Sequence, residues 1–586
     1  MPIATFVNQT TRSSDNAGNN LLVQTTVNAW GHYQKVKFIF ICLTYMIPPI
    51  MVYTWSFTAA TPSFRCHHPN TIDDAYTDRS NEIFRKFYQP TENECAAHQH
   101  LLSVKECQRC YRKIKPAKNV SIVQDLQSCD GYVFDRSVYK RTLVEEWSMV
   151  CDRVGYRSFV QMIYFVGFMC GALLFGTMAD RYGRRSVMGI SFVLMMISGF
   201  LCAFGPQQKF GVRSSYIIFM IARFLLACST RGISESGFVL GSEMVNPDKR
   251  LMVGMVMDYF FTSGEFFLVF MAYFLRTWRS LTFVITLFTI PFCFFYLILP
   301  ESPRWLVSKG RFDEAEQILR HIAAVNKRDF DSDAYERLKD DQKQHIADRT
   351  VPLGIASLFQ TKIIRIITVN LFFQWLAQNL VYYGVSQSTG SWQFDPYLSF
   401  ALSALVELFA YIFIHIILDR LGRKLPYCAF AIAFGLLALL VLPVQSVLAE
   451  RKTTLRVLMF ILNISLKFCA SASFAIIYLY STELFPTSVR TTGLGMCSMT
   501  GRLGAILGTF SNDYLARIWM NFPTVLFGVV SLVAGIAALV FPETLNKPLP
   551  QTIDDIESMN LPLFSTNKQQ RDLSRGDNIP LKAINT

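Results

Sequence analysis

Eight ionisable residues interrupt the long apolar blocks of this chain: Arg223, Arg231 and Glu235 in one, Asp258 and Glu265 in the next, then Glu407, Lys467 and Arg502. A charge at the centre of a bilayer costs about 2.5–3.5 kcal/mol on insertion scales, so each needs a partner or a task. The chemistry open to such a set is recognition of charged solutes: carboxylates hold cations, guanidinium and ammonium groups hold anions, and both together hold a zwitterion. Arg231 and Glu235 are four residues apart on one helix face, and they fit mutual neutralisation as well as they fit ligand contact. Arg223 lies towards the other end of its helix and reads as structural. The stretch Gln374-Trp-Leu-Ala-Gln-Asn-Leu-Val-Tyr-Tyr-Gly384 adds a stripe, because Trp375, Gln378 and Tyr382 recur on one helical face and Tyr383 adjoins it. Aromatic rings in such a wall hold a cation by their faces, for about 0.5–2 kcal/mol.

Catalytic patterns are missing. The sequence has no Gly-x-x-x-x-Gly-Lys loop, no His-Glu-x-x-His and no Gly-x-Ser-x-Gly; Gly232-Ile-Ser234-Glu-Ser236 lacks the last glycine. The sequence calls for no metal and no cofactor, and it is not read as an enzyme. The net charge of +13 does not point to nucleic acid, because the basic residues sit in short clusters between apolar blocks.

The elements that must position these residues are membrane helices. The chain is 51% hydrophobic and 17% charged, with a mean hydropathy of +0.28. Runs of about 20 apolar residues, enough to cross the hydrocarbon, recur throughout. They predict helices near 37–57, 157–179, 186–205, 215–240, 251–273 and 280–299, then 363–384, 397–418, 425–443, 456–480, 493–513 and 523–541. An even count puts both termini on one side. The basic loops Arg181–Arg185, Lys249–Arg250 and Arg420–Lys424 make that side cytoplasmic, against one basic loop, Glu450–Arg456, on the other. The polar start, Met1 to Asn28, has no signal-peptide pattern, so the first helix would serve as its own insertion signal.

Between the first two blocks lie Cys66, Cys95, Cys107, Cys110, Cys129 and Cys151. An even set in a long polar loop reads as a disulfide framework of undetermined connectivity in an oxidising compartment. Cys107-Gln-Arg-Cys110 as half of a zinc or redox site lacks a second pair. The sequon at Asn119 fits a glycosylated exterior.

The two halves repeat. Asp180-Arg181-Tyr-Gly183-Arg184-Arg returns as Asp419-Arg420-Leu-Gly422-Arg423-Lys. Glu243 with Arg250 returns as Glu483 with Arg490, and Pro300-Glu301-Ser-Pro-Arg304 is echoed by Pro542-Glu543-Thr. Three unrelated motifs at nearly one spacing describe two related six-helix bundles around a central site. The acids and arginines at the cytoplasmic edge fit ion pairs made when that side shuts and broken when it opens. One-sided basicity alone would explain the arginines, but not the acids or the glycines.

At these residues the sequence resembles the major facilitator superfamily, and within it the organic cation, anion and zwitterion (carnitine) transporters of solute carrier family 22. The narrower resemblance rests on Cys129-Asp-Gly-Tyr-Val-Phe-Asp-Arg136 through Glu146-Trp-Ser-Met-Val-Cys151, Pro300-Glu-Ser-Pro-Arg-Trp-Leu306, Gly310-Arg-Phe-Asp-Glu-Ala-Glu316, Glu483-Leu-Phe-Pro-Thr-Ser-Val-Arg490 and Pro542-Glu-Thr-Leu-Asn-Lys-Pro-Leu-Pro550. It implies an all-α integral membrane protein with the major-facilitator fold: twelve transmembrane helices in two pseudo-symmetric bundles and a large disulfide-bonded extracellular loop. The segments expected are a cytoplasmic tail 1–36, a bundle 37–299 containing the loop 58–156, a linker 300–362, a second bundle 363–541 and a tail 542–586. The resemblance also implies a plasma-membrane secondary transporter of a small organic ion. A cation could be driven by the membrane potential alone, whereas a zwitterion would need sodium, a proton or an exchange substrate as coupling partner, and the residues leave the coupling open. Phe168, Glu407, Lys467 and Arg502 match cavity positions of that family. Cation carriers resemble each other in having aspartate where Arg502 stands, so the expectation leans to carnitine-like or other zwitterionic substrates, with organic anions next and cations third. A receptor or a channel on the same fold is the rival, and saturable accumulation separates them.

Overall fold

The protein is described by a computed structural model over residues 31–68, 74–97, 104–113, 126–205, 211–245, 250–347, 355–389, 394–448, 450–486, 489–545, 550 and 556. Asn119 and the chain ends lie outside the described residues, as does the side chain of Arg250.

Each of the twelve predicted segments is a helix. The first six are α1 (His32–Thr58), α2 (Val154–Tyr182), α3 (Arg184–Phe204), α4 (Gly211–Glu243), α5 (Arg250–Phe274) and α6 (Trp278–Ile298). The second six are α7 (Lys362–Ser388), α8 (Pro396–Leu421), α9 (Lys424–Val447), α10 (Lys452–Leu484), α11 (Arg490–Phe510) and α12 (Phe522–Val540). Several outrun the apolar runs that announced them, since backbone hydrogen bonding continues into the polar flanks.

Among the described residues, ten of these helices are long and apolar enough to cross a membrane. The two that fall short are α7 and α11, which carry Asn370, Gln374, Gln378 and Asn379, and Ser498, Thr500 and Arg502. These two helices supply part of the polar centre, Tyr382 and Tyr383 from α7 and Arg502 from α11. They pack closely: a side chain at Gly504 of α11 would collide with the Leu376 carbonyl of α7. Large apolar side chains such as Leu173, Ile197, Phe270, Leu297, Leu436 and Ile536 are exposed on the outside of the bundle, the surface that lipid covers. Across the halves, α2 packs on α11 and α5 on α8.

The loop after α1 holds two small antiparallel sheets, β1 (Phe64–Cys66) with β4 (Tyr132–Phe134), and β2 (Tyr111–Lys113) with β3 (Leu126–Ser128). Three disulfides staple it: Cys66–Cys129, Cys95–Cys107 and Cys110–Cys151. Inside it, Arg65 grips Asp74 with two hydrogen bonds of 2.7 and 2.6 Å. Burial works against ionisation of Asp74, but Arg65, the His68 N–H and the Ser80 hydroxyl outweigh it and hold the carboxyl well below the usual range. Glu146 fastens the loop to α6, accepting from Trp278 Nε1 at 2.8 Å and from Arg279 at 2.6 Å.

Between the halves, helices Pro303–Ser308, Phe312–Val325 and Ser332–Ala347 form a small apolar core with Tyr33, around Trp305, Leu306, Leu319, Ile322 and Tyr335. Trp305 Nε1 donates to the Asp180 carbonyl at 3.0 Å, which ties this unit to the turn between α2 and α3.

Candidate functional site

At the centre of the second half, Lys467 of α10 and Glu407 of α8 form a direct ion pair with side chains 1% and 0% exposed. Glu407 Oε1 accepts from the hydroxyls of Tyr382 at 2.7 Å and Tyr411 at 2.6 Å. Lys467 Nζ donates to Ser386 Oγ at 2.6 Å and lies 4.5 Å from the Tyr382 ring centroid. Both buried charges are thus compensated by charge, hydroxyl and ring, which a dry interior demands.

Arg502 is treated differently. Its Nη1 donates to the Tyr383 hydroxyl at 3.1 Å, and its guanidinium lies 5.1 Å from the Phe168 ring of α2 in the opposite half. Its Nε is buried without a partner, and among the described residues no carboxylate pairs with it. Phe165 meets the Tyr383 ring at 5.1 Å, closing the aromatic wall across the halves. Arg231 and Glu235 pair with each other at 2.7 Å, and Arg231 also donates to Ser498 of α11 at 3.2 Å. The mutual neutralisation open in the sequence is the arrangement found.

The predicted stripe on α7 divides. Tyr382 and Tyr383 reach the charged centre. Gln378 does not: it donates to Tyr427 at 3.0 Å and accepts from Ser473 at 2.8 Å inside the second half. Trp375 likewise spends its N–H on Ser481 at 2.8 Å. A buried amide must find partners, and the nearest lie on α9 and α10 rather than towards the centre. The sequence reading missed Ser386 and Tyr411, which look like ordinary helix residues until α7, α8 and α10 converge.

The paired motifs form two matching clusters at the end opposite the disulfide loop. In the first half, Arg184 meets Asp180 at 3.0 Å and Glu243 at 3.4 Å. In the second, Arg423 meets Asp419 at 4.0 Å and Glu483 at 3.2 Å. Glu301 accepts from the backbone N–H groups of Arg184 and Arg185, capping α3 at 3.0 and 3.2 Å; Glu543 does the same for Arg423 and Lys424 on α9, at 2.9 and 3.0 Å. Gly183 and Gly422 have φ of 99° and 84°, and a side chain at either would fall on the capping carboxylate. Burial opposes ionisation of Glu543, but the N–H groups of Arg423, Leu545, Lys424 and Thr544 prevail and keep it below the ordinary glutamate value. Arg304 donates to the Val245 carbonyl at 3.3 Å and Arg490 to that of Phe485 at 3.2 Å. Arg181 and Arg420 are exposed and join no ion pair among the described residues.

Among the described residues, the ion pairs of each cluster lie within one half. Two ion pairs among the described residues cross between the halves, both at the loop end: Arg157 with Asp513 at 2.9 Å, and Arg517 with Glu106. Asp513 sits on a single π-helical turn, Ser511–Leu515, the kind of local widening that re-aims a side chain. Phe57 stacks on Tyr397 at the same end, with centroids 5.6 Å apart.

Residues 121–554 match the family described as sugar (and other) transporter. The chain is 33% identical to an organic cation transporter-like protein of Drosophila melanogaster over 90% of both chains. It is 34% identical to solute carrier family 22 member 6 of Pseudopleuronectes americanus, over 74% of this chain and 75% of that one. The chain belongs to solute carrier family 22. Another member, organic anion transporter 3 of Oryctolagus cuniculus, is 30% identical over 90% of this chain and 91% of its own. Among solved structures, the partially occluded inward-open form of the xylose transporter XylE from E. coli aligns with a TM-score of 0.58 at 15% identity, over 88% of this chain and all of the other. The fold of this family-22 chain is therefore that of the major facilitators, and the protein is a multi-pass membrane transporter, not an enzyme.

Proposed function

We propose that this chain is a plasma-membrane secondary carrier of small organic anions, working by alternating access, with Arg502 as the group that receives the anionic end. The observation that carries this reading is the contrast between two buried centres. Glu407 is taken by Lys467 and two hydroxyls, whereas Arg502 has only hydroxyl and ring contacts. A bound carboxylate or sulfonate would supply the missing counter-charge, and a guanidinium offers it two parallel hydrogen bonds. Phe168 and Tyr383 flank the same spot and suit an aromatic or apolar body. Relatives named as organic anion and organic cation transporters both support an organic ion as cargo.

This amends the zwitterionic expectation, since Glu407 already has its cation. The zwitterion is kept as a second reading on one ground: a ligand ammonium displacing Lys467 would sit beside the anion subsite, because Tyr382 and Tyr383 are adjacent.

The cycle we propose has the motif clusters, Asp180 to Arg304 and Asp419 to Arg490, on the cytoplasmic side, steadying each half as it rocks. The cross-half pairs at the loop end belong to a state shut towards the exterior. The test is uptake by cells expressing the chain of three labelled solutes of one size: benzenesulfonate, phenyltrimethylammonium and their zwitterionic hybrid. Saturable preference for the sulfonate supports the proposal; preference for the ammonium would overturn it.

A further inference from the structure

Glu265 of α5 is 2% exposed, and among the described residues no hydrogen bond or ion pair reaches its carboxylate. It belongs to the first half, yet the charges it interacts with are Glu407 and Lys467 of the second. The tyrosines in electrostatic reach are Tyr53 on α1, Tyr382 on α7 and Tyr411 on α8. On α5 itself, half-buried Asp258 precedes it by seven residues and interacts with Glu407. From α8, His415 is held by the Tyr259 hydroxyl at 3.0 Å, and the charges of α4, Arg231 and Glu235, pair with each other. The wall is tight, for a side chain on neighbouring Gly264 would collide with the Met46 carbonyl of α1.

Two carboxylates and one ammonium, all ionised, would leave an uncompensated negative charge in a dry interior, and that charge is removed most simply by one proton. Glu407 has an ammonium and two hydroxyls in direct contact to stabilise its charge, whereas none of these bonds to Glu265, which meets Lys467 only at longer range. Among the described residues no three His, Cys, Asp or Glu side chains come together to hold a metal ion, and Lys467 would repel one.

We propose that Glu265 is a proton-binding site that couples proton movement to substrate movement. The proton resides on Glu265 while Lys467 pairs with Glu407; release of it to the side that opens requires Lys467 to turn to the carboxylate left behind. Lys467 and Glu407 ride on one half and Glu265 on the other, so rocking changes which carboxylate the ammonium can reach. Resting on the anion reading, the sign follows: an anion at Arg502 adds negative charge near the cluster and favours protonation, so anion and proton bind together and cross together.

The test has two arms. In lipid nanodiscs without substrate, infrared difference spectra recorded through a pH titration should show a protonated carboxyl band. Glu265→Gln should abolish that band and Glu265→Asp should restore it. Glu407→Gln should instead weaken it or move its titration to lower pH, because Lys467 is then free to pair with Glu265. In proteoliposomes, an acid-outside gradient of about one pH unit should raise benzenesulfonate accumulation up to about tenfold in the parent protein and not at all in Glu265→Gln. A sulfonate does not titrate, so its own charge cannot produce the effect. A band unchanged in Glu265→Gln, or accumulation following a sodium gradient alone, overturns the proposal. So does carried benzenesulfonate that ignores the proton gradient. A band that Glu265→Gln removes, with benzenesulfonate not carried at all, upholds the proton site and counts against the anion reading.

Discussion

Tyr382 and Tyr383, adjacent on α7, serve opposite charges: the Tyr382 hydroxyl donates to Glu407, and the Tyr383 hydroxyl accepts from Arg502. Consecutive helix residues point about 100° apart, so one turn of α7 serves two electrostatic centres whose rings touch edge to face at 5.2 Å. The two substitutions therefore separate by effect. Tyr383→Phe removes one hydrogen bond to the anion-receiving group and should weaken anion affinity by about 0.5–1.5 kcal/mol, roughly two- to tenfold in KM. Tyr382→Phe should leave anion KM nearly unchanged and lower thermal stability instead. Uptake kinetics and melting of both variants check this.

The Glu407–Lys467 pair predicts a non-additive cycle. Lys467→Met strands a buried carboxylate and should destabilise the protein by about 3–5 kcal/mol, with Glu407→Gln costing a similar amount. The double variant should recover most of the loss. Melting in detergent measures it, and additive losses would mean that the pair is not coupled.

The motif clusters rank their own members. Glu301 and Glu543 cap helices from sheltered positions, whereas Asp180 and Asp419 are 71% and 55% exposed in their side chains. Exposed pairs contribute at most about 1 kcal/mol. Glu301→Gln and Glu543→Gln should therefore slow turnover at little-changed KM, by similar factors because the geometry repeats. Asp180→Asn and Asp419→Asn should do much less. Turnover in proteoliposomes decides, and equal effects of all four would remove the distinction.

The loop should be acid-sensitive through Asp74. Its carboxyl is held below the normal range in the folded loop, so its stabilising contribution is complete above the unfolded value, about 4, and disappears as pH falls through the folded one. Asp74→Asn should lower loop stability at neutral pH and flatten the dependence. Protease susceptibility of the loop, followed from neutral to strongly acid pH, reports both.

Much of this architecture was legible in residue order, because membrane helices declare themselves by length and apolarity. The 239-residue return of Asp180 as Asp419 announced two halves and paired clusters. What periodicity could not supply was direction. Trp375, Gln378 and Tyr382 share a helical face, yet only Tyr382 turns its polar group to the charged centre, because Ser481, Tyr427 and Ser473 on neighbouring helices take the others. Nor could sequence alone decide that Lys467 pairs with Glu407, sixty residues away on another helix, a pairing that leaves Arg502 as a buried cation without a carboxylate among the described residues. The cross-half pair of Arg157 and Asp513 stayed hidden because charges at helix ends look like ordinary membrane-edge residues.

The most direct test of the account is the charge preference of Arg502→Asp. Saturable uptake of benzenesulfonate and phenyltrimethylammonium should be compared in cells with matched surface levels of parent and variant. The account predicts that the parent favours the sulfonate, and that the variant loses it by at least about tenfold while gaining the ammonium, as expected when a buried charge partner is reversed. A variant that carries the sulfonate as well as the parent does would contradict it and remove Arg502 from the binding site.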